Sequence, residues 1–227
     1  MIDTIAFDGD DTLWHNESLF SMTQERFRAL LAHAADPADI DRRLLAAERA
    51  NLRVYGYGIK GFVLSMIETA VDLTDGRIAG RDIQTLIDFG KAMLDHPVDL
   101  LDGVAEVVEA LSGRYRLLLI TKGDLFDQES KIARSGLAER FNAVEIVSEK
   151  DPDTYRRVLD RHGVEPGRFV MVGNSVRSDI LPVLAAGGHA VHVPYAITWA
   201  HEEAAPPTEN YRRIDTVRDL PPLLNAW

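Results

Sequence analysis

Near the N-terminus an apolar run, Ile2 to Phe7, ends in Asp8-Gly9-Asp10-Asp11-Thr12-Leu13. Carboxylates at the end of a short buried strand need partners: at the rim of a core they must be hydrogen-bonded, ion-paired or bound to a metal. Strand alternation sends Asp8 and Asp10 to the same side, and Gly9 between them lets the backbone curl toward a ligand. One carboxylate of such a pair can attack while the other moves a proton, and the pair can also hold a hard cation such as Mg²⁺. The first strand therefore points to an enzyme.

The elements that must position these residues follow a rhythm. Apolar runs with the texture of strands buried on both faces recur at Tyr115 to Ile120, Ala143 to Val147, Phe169 to Val172 and Ala190 to Val193. Helical patterns lie between or after them, at Val104 to Leu111, Gln128 to Ser135, Asp153 to Arg161 and Ser178 to Ala186. Gly113, Gly136, Gly163 and Gly187-Gly188 stand at their carboxyl ends, where left-handed caps are wanted. This is the pattern of an α/β fold with a doubly wound, Rossmann-like parallel sheet, whose ligands bind beyond the carboxyl ends of the strands.

From about Glu17 to Asp99 the rhythm breaks into four helical patterns, near Glu17–Ala34, Pro37–Val54, Ile59–Val71 and Arg81–Asp95. The expected organisation is a catalytic core from residues 1–16 and 97–227 with an all-helical insertion at 17–96. Tyr55, Tyr57 and Lys60 fall in a glycine break of that insertion. The tail after His201, with Pro206-Pro207 and Pro221-Pro222, reads as a surface wrap, and Asp11 as a solvated turn residue. Trp199 and Trp227 are candidate interface anchors, but the sequence carries no signature of an oligomeric state.

Composition narrows the function. A formal charge of −11 over 227 residues gives no basic footprint for nucleic acid or an anionic membrane surface, so neither is an expected partner. The absence of cysteine removes disulfides, thiolate metal sites and a Cys nucleophile. With no signal-peptide pattern and no membrane-length apolar stretch, the expected location is the cytoplasm.

The first four buried strands end in polar residues. The first ends in Asp8, Asp10 and Thr12; the second in Thr121-Lys122-Gly123-Asp124; the third is followed by Ser148-Glu149-Lys150-Asp151-Pro152; the fourth ends in Gly173-Asn174-Ser175-Val176-Arg177-Ser178-Asp179. In that order they resemble the four motifs of the haloacid dehalogenase superfamily, specifically its phosphatase branch with an α-helical cap. Asp8, Asp10 and Thr12 match the first motif, Thr121 the second, Lys150 the third, and Gly173, Asn174 and Asp179 the fourth.

The resemblance implies a Mg²⁺-dependent phosphatase that acts on a small phosphorylated metabolite through an aspartyl-phosphate. Asp8 is then the nucleophile and Asp10 the general acid and base. Thr12, Thr121, Lys122 and Lys150 are the implied phosphate-binding residues, with Lys150 the third-motif lysine and Lys122 its understudy. The implied metal ligands are Asp8, the Asp10 carbonyl and the fourth motif, where Asn174 stands in place of the usual aspartate. Asn174 keeps an oxygen donor but not the charge, and whether it or Asp179 ligates directly stays open. A sugar-phosphate mutase shares the whole apparatus. A 2-haloacid dehalogenase needs Asp8 but neither a metal nor an acid two residues on, so Asp10 and Thr12 argue against it.

Overall fold

A computed structural model of the chain describes residues 1–202, 204–207 and 211–226, so Trp227 lies outside it. The chain divides into two compact units: Met1–Glu17, Val98–Lys122 and Gln128–Trp227 form the first, Ser18–Pro97 and Gly123–Asp127 the second.

The first unit is built on one sheet. Its strands are β1 (Thr4–Phe7), β2 (Arg116–Lys122), β3 (Ala143–Val147), β4 (Phe169–Gly173), β5 (His189–His192) and the short β6 (Arg212–Arg213). Their order is β3-β2-β1-β4-β5-β6, and every pairing is parallel. The order reverses at β1, so the crevice beyond β1 and β4 is the switch point where such sheets bind ligands. Period-two alternation splits the strand residues between two cores. Ile5, Phe7, Leu119, Val170 and Val172 join one apolar cluster, while Ala6, Leu118, Ile120 and Met171 join the other. Helices α5 (Val104–Ser112) and α9 (Leu220–Leu224) supply the first cluster; α7 (Pro152–His162) and α8 (Leu181–Ala185) supply the second.

Two elements differ from expectation. The tail is more than a wrap: it adds β6 to the sheet and buries Leu220 and Leu224 in the core. Pro221-Pro222 is compatible with this because it occupies the first turn of α9, where no N–H is needed. The helix expected from Ser178 to Ala186 is instead a widened π turn, Val176–Ile180, followed by α8. Pro182 has no N–H to give the Ser178 carbonyl, which accepts from the Tyr155 hydroxyl at 2.9 Å instead.

The second unit carries four helices, with α1 (Glu17–Leu31) entering it, then α2 (Pro37–Tyr55), α3 (Ile59–Leu73) and α4 (Gly80–Asp95). Phe27, Leu31, Ile40, Leu44, Met66 and Leu86 make its own core. The Asp36 carboxylate accepts from the Asp39 N–H at 3.0 Å and Pro37 opens α2, as a helix start requires. Residues 123–127, which the sequence pattern leaves with the sheet, pack here: Lys60 pairs with Asp124 at 2.9 Å and lies 5.6 Å from the centroid of the Phe126 ring. No helix among the described residues is long and apolar enough to cross a membrane.

Candidate active site

The Asp8 N–H still bonds the Val172 carbonyl at 2.9 Å, continuing the ladder one residue past β1. The chain then turns sharply, the Leu13 N–H reaching back to the Gly9 carbonyl at 2.8 Å. Gly9 is required by space: a Cβ there would stand 2.7 Å from the Trp14 ring and 3.4 Å from the Thr121 hydroxyl oxygen. The turn gives the two aspartates, which simple alternation places together, separate cations.

Asp8 faces Lys150. The ammonium stands 2.5 Å from the Asp8 carboxylate and 2.7 Å from that of Asp179, and all three side chains are buried. Burial pushes the Asp8 carboxyl up to about 7; Lys150 pulls it down, and Asp179 adds to the rise. Burial opposes the Lys150 charge, but Asp179 and Asp8 hold its ammonium well above the ordinary lysine range. Asp179 also accepts from the Ser175 N–H at 3.0 Å. It sits so close to the end of β4 that a Cβ on Gly173 would overlap its carboxylate. Thr12 ties the first and fourth strand ends together. Its hydroxyl lies 3.2 Å from Asp8 Oδ2 and 3.3 Å from Asn174 Oδ1, and accepts the Asn174 N–H at 3.0 Å.

Asp10 faces a different cation, Lys131, whose ammonium reaches its two oxygens at 2.7 and 2.9 Å. The Trp14 indole and the Gln128 amide donate to the same carboxylate at 2.7 and 2.8 Å. Gln128 Oε1 accepts from the Thr121 hydroxyl at 3.2 Å. Lys122 is directed elsewhere: its ammonium bonds the Ser178 hydroxyl at 2.9 Å and the Glu202 carboxylate at 2.5 Å. Ser175 and Ser178 also donate to Glu202, both at 2.6 Å. Burial would raise the Glu202 pKa, but Lys122 and the two hydroxyls hold it down at about 2. Glu202 thus binds the end of β2 to the fourth-strand loop with a charge that persists across the physiological range.

Asp11 is not a solvated turn residue. It is buried in the left-handed region, φ 61°, and accepts from the N–H groups of Asn16 and Glu17 at 2.9 and 3.0 Å, where α1 begins. Burial pushes its carboxyl up to about 7 against those two bonds. The folded chain therefore holds the Asp11 proton where the unfolded chain has lost it, and this site subtracts stability as pH rises from about 4 to about 7. Asp11→Asn keeps an acceptor and tolerates the left-handed backbone. It is expected to raise Tm at pH 8, by up to ~4 kcal/mol of stability at about 1.4 kcal/mol per pH unit, with the gain fading toward pH 4. Thermal melts across that range check it; equal Tm values at pH 8 would contradict the burial cost.

Residues 2–187 match the family model of haloacid dehalogenase-like hydrolases. The chain belongs to that family. A crystal structure of a haloacid dehalogenase-like family hydrolase from Xanthomonas campestris is 46% identical, with a TM-score of 0.90 over 99% of this chain and 91% of that one. N-acylneuraminate-9-phosphatase is 30% identical in Mus musculus, over 59% of this chain and 54% of the mouse protein. In Homo sapiens it is 28% identical, over 70% of this chain and 66% of the human protein. The hydrolase thus matches a little over half to two thirds of the length of these relatives. The fold also recurs in 2-haloacid dehalogenase from Pseudomonas syringae pv. Tomato DC3000, at 22% identity and a TM-score of 0.67 over all of both chains.

In this hydrolase the strand ends suit a hard cation that keeps most of its water. Among the described residues no group of three or more His, Asp or Glu side chains forms a metal cage. The oxygens of Asp8 and Asn174, however, converge on one hydroxyl, that of Thr12. With Asp8 ionised, the buried trio of Asp8, Asp179 and Lys150 also carries one uncompensated negative charge. All-oxygen donors, few in number and net negative, match Mg²⁺.

Trp14, Gln128, Lys131 and Glu202 were not among the residues expected from sequence. The available signal was the i, i+3 spacing of Gln128 and Lys131 on the first helix after Thr121, α6 (Leu125–Arg134). Glu202 had no signal at all.

Proposed function

We propose that this chain is a Mg²⁺-dependent phosphatase that hydrolyses a small-molecule phosphomonoester through an aspartyl-phosphate on Asp8. The observation that carries the proposal is that two carboxylates two residues apart each have their own lysine, Lys150 for Asp8 and Lys131 for Asp10. A dehalogenase has work for the first carboxylate and none for the second. The names of the relatives, N-acylneuraminate-9-phosphatase and a Thermus thermophilus phosphoserine phosphatase 32% identical over 107 residues, support the same reading.

In this account Asp8 attacks phosphorus in line with the departing oxygen, and the P–O bond to the leaving group breaks as the Asp8–phosphorus bond forms. Asp10 gives its proton to the departing alkoxide, then takes one from the water that hydrolyses the phosphoenzyme. Lys150 offsets charge on the nucleophile and the phosphoryl oxygens, and the Thr121 hydroxyl with nearby N–H groups binds those oxygens. Asp8, the Asp10 carbonyl and Asn174 would hold the cation. Asp179, whose oxygens take the Lys150 ammonium and the Ser175 N–H, is assigned the role of holding Lys150 and the fourth-strand loop in place. When bound, Mg²⁺ supplies the positive charge that lets a carboxylate approach a phosphate dianion. A structure from Bacillus subtilis with the same fold, YfnB, is described as bound to magnesium (16% identity, TM-score 0.69 over 99% of each chain), in keeping with this choice. Thr12 joins the strand ends, Lys122 braces the second strand end through Glu202, and the helical unit is a cap that admits small substrates. A phosphorylated metabolite as substrate and a chain without cysteine fit the cytoplasm.

The test is phosphate release from N-acylneuraminate 9-phosphate, phosphoserine and p-nitrophenyl phosphate, with Mg²⁺ and then with EDTA. Release with Mg²⁺ and none with EDTA is expected. Halide release from 2-chloropropionate, with no phosphate release from any ester, would overturn the proposal.

A further inference from the structure

The Asp10 carboxylate is held more completely than a merely exposed acid would be. Lys131 reaches both oxygens, Trp14 donates to one and Gln128 to the other. Gln128 and Lys131 stand three residues apart on α6 and so present to the same side of the helix. The Lys131 ammonium is anchored in turn by Asn16 Oδ1 at 3.2 Å, and Gln128 by the Thr121 hydroxyl at 3.2 Å. Both α6 side chains are buried, so neither has much freedom to redirect the carboxylate. A side chain left with only the indole bond would keep its reach but lose its direction. Proton transfer falls steeply when the donor is misaimed by even a fraction of a hydrogen-bond length.

We propose that Lys131, supported by Gln128, is a positioning residue that aims the Asp10 carboxylate at the departing and attacking oxygens. It contacts neither substrate nor phosphorus and acts through Asp10. The inference rests on the reading of Asp10 as the proton-transferring group, and it makes α6 part of the catalytic apparatus through its polar face.

The experiment uses the full chain with Mg²⁺ and a series of substituted phenyl phosphates, from p-nitrophenyl to unsubstituted phenyl, in the wild type and in Lys131→Met, Asp10→Asn and the double variant. A good leaving group needs little protonation and a poor one needs much, so loss of aim weighs on the poor one. Lys131→Met is expected to lower kcat for phenyl phosphate at least ~10-fold, with a smaller loss for p-nitrophenyl phosphate and little change in KM. The double variant is expected to be no slower than Asp10→Asn alone, since the lysine acts through the aspartate. Lys131→Gln, which keeps a donor in the buried position, replaces the Met variant should that one fail to fold. An equal loss for every leaving group, or additive losses in the double variant, overturns the positioning role while leaving Asp10 intact. A flat leaving-group response in Asp10→Asn overturns the reading of Asp10 and this inference with it.

Discussion

Asp8→Asn is expected to remove turnover, by at least ~10⁴-fold in kcat as for other nucleophile deletions, while leaving the protein at least as stable as the wild type. The second half is the less obvious, and the buried charges dictate it. Asp8, Lys150 and Asp179 are enclosed together with two negative charges and one positive. Removing the Asp8 charge leaves Lys150 its 2.7 Å partner Asp179, a balanced pair. Burial has already raised the Asp8 carboxyl to about 7, so ionising it in the folded state is unfavourable, and the stability it subtracts grows as pH rises from about 4 to about 7. In EDTA, the Tm advantage of Asp8→Asn should therefore be larger at pH 8 than at pH 5. A variant that keeps turnover removes Asp8 as the nucleophile. One that loses Tm at pH 8 contradicts the charge count.

Lys150→Met should do the opposite to stability and the same to activity. The Lys150 side chain is 1% exposed and bridges two buried carboxylates. Deleting one partner of a buried ion pair typically costs ~3–5 kcal/mol, because the group left behind stays buried and uncompensated. Here two are left behind, facing one another. At about 2–4 °C per kcal/mol for a chain of this size, the expected fall in Tm at pH 8 is about 6–20 °C. It should shrink in acid, where the Asp8 carboxyl takes up its proton. The melt is read beside phosphate release, which should be lost at every pH where the variant is folded. A variant of wild-type stability at pH 8 would mean that the lysine is not the charge that holds this cluster together.

The features legible in the sequence were those that depend on local pattern. Continuous apolar runs are what strands buried on both faces need, and β1 to β5 formed at them. Acids, a hydroxyl and a lysine at strand ends face the same crevice because parallel strands all point the same way. What depended on partners far along the chain was not legible. Lys131 meets Asp10 across 121 residues, and nothing in the helical pattern says which polar side of α6 turns inward. Lys122 follows Thr121 and so looked like a phosphate binder; Glu202, which holds it, lies 80 residues on, in a tail that proline pairs disguised as a wrap. Asp11 looked solvated because its acceptor role depends on a left-handed turn that composition does not reveal. The start of α6 was placed at Gln128 rather than Leu125, since exposed Leu125 and Phe126 break the amphipathic pattern. The helical pattern from Ser178 to Ala186 runs through Pro182, whose missing N–H leaves a π turn beside Asp179.

In the proposed reaction the phosphoryl group passes through Asp8. The most direct test is to mix the Mg²⁺-loaded enzyme with a phosphomonoester that it turns over, quench in acid within one turnover, and weigh the peptide that contains Asp8. That peptide is expected to be one phosphoryl group heavier in the wild type, unmodified in Asp8→Asn, and most heavily loaded in a variant with slowed hydrolysis such as Asp10→Asn. Phosphate release at full rate with the Asp8 peptide never modified, or with the phosphoryl group on another residue, would contradict it.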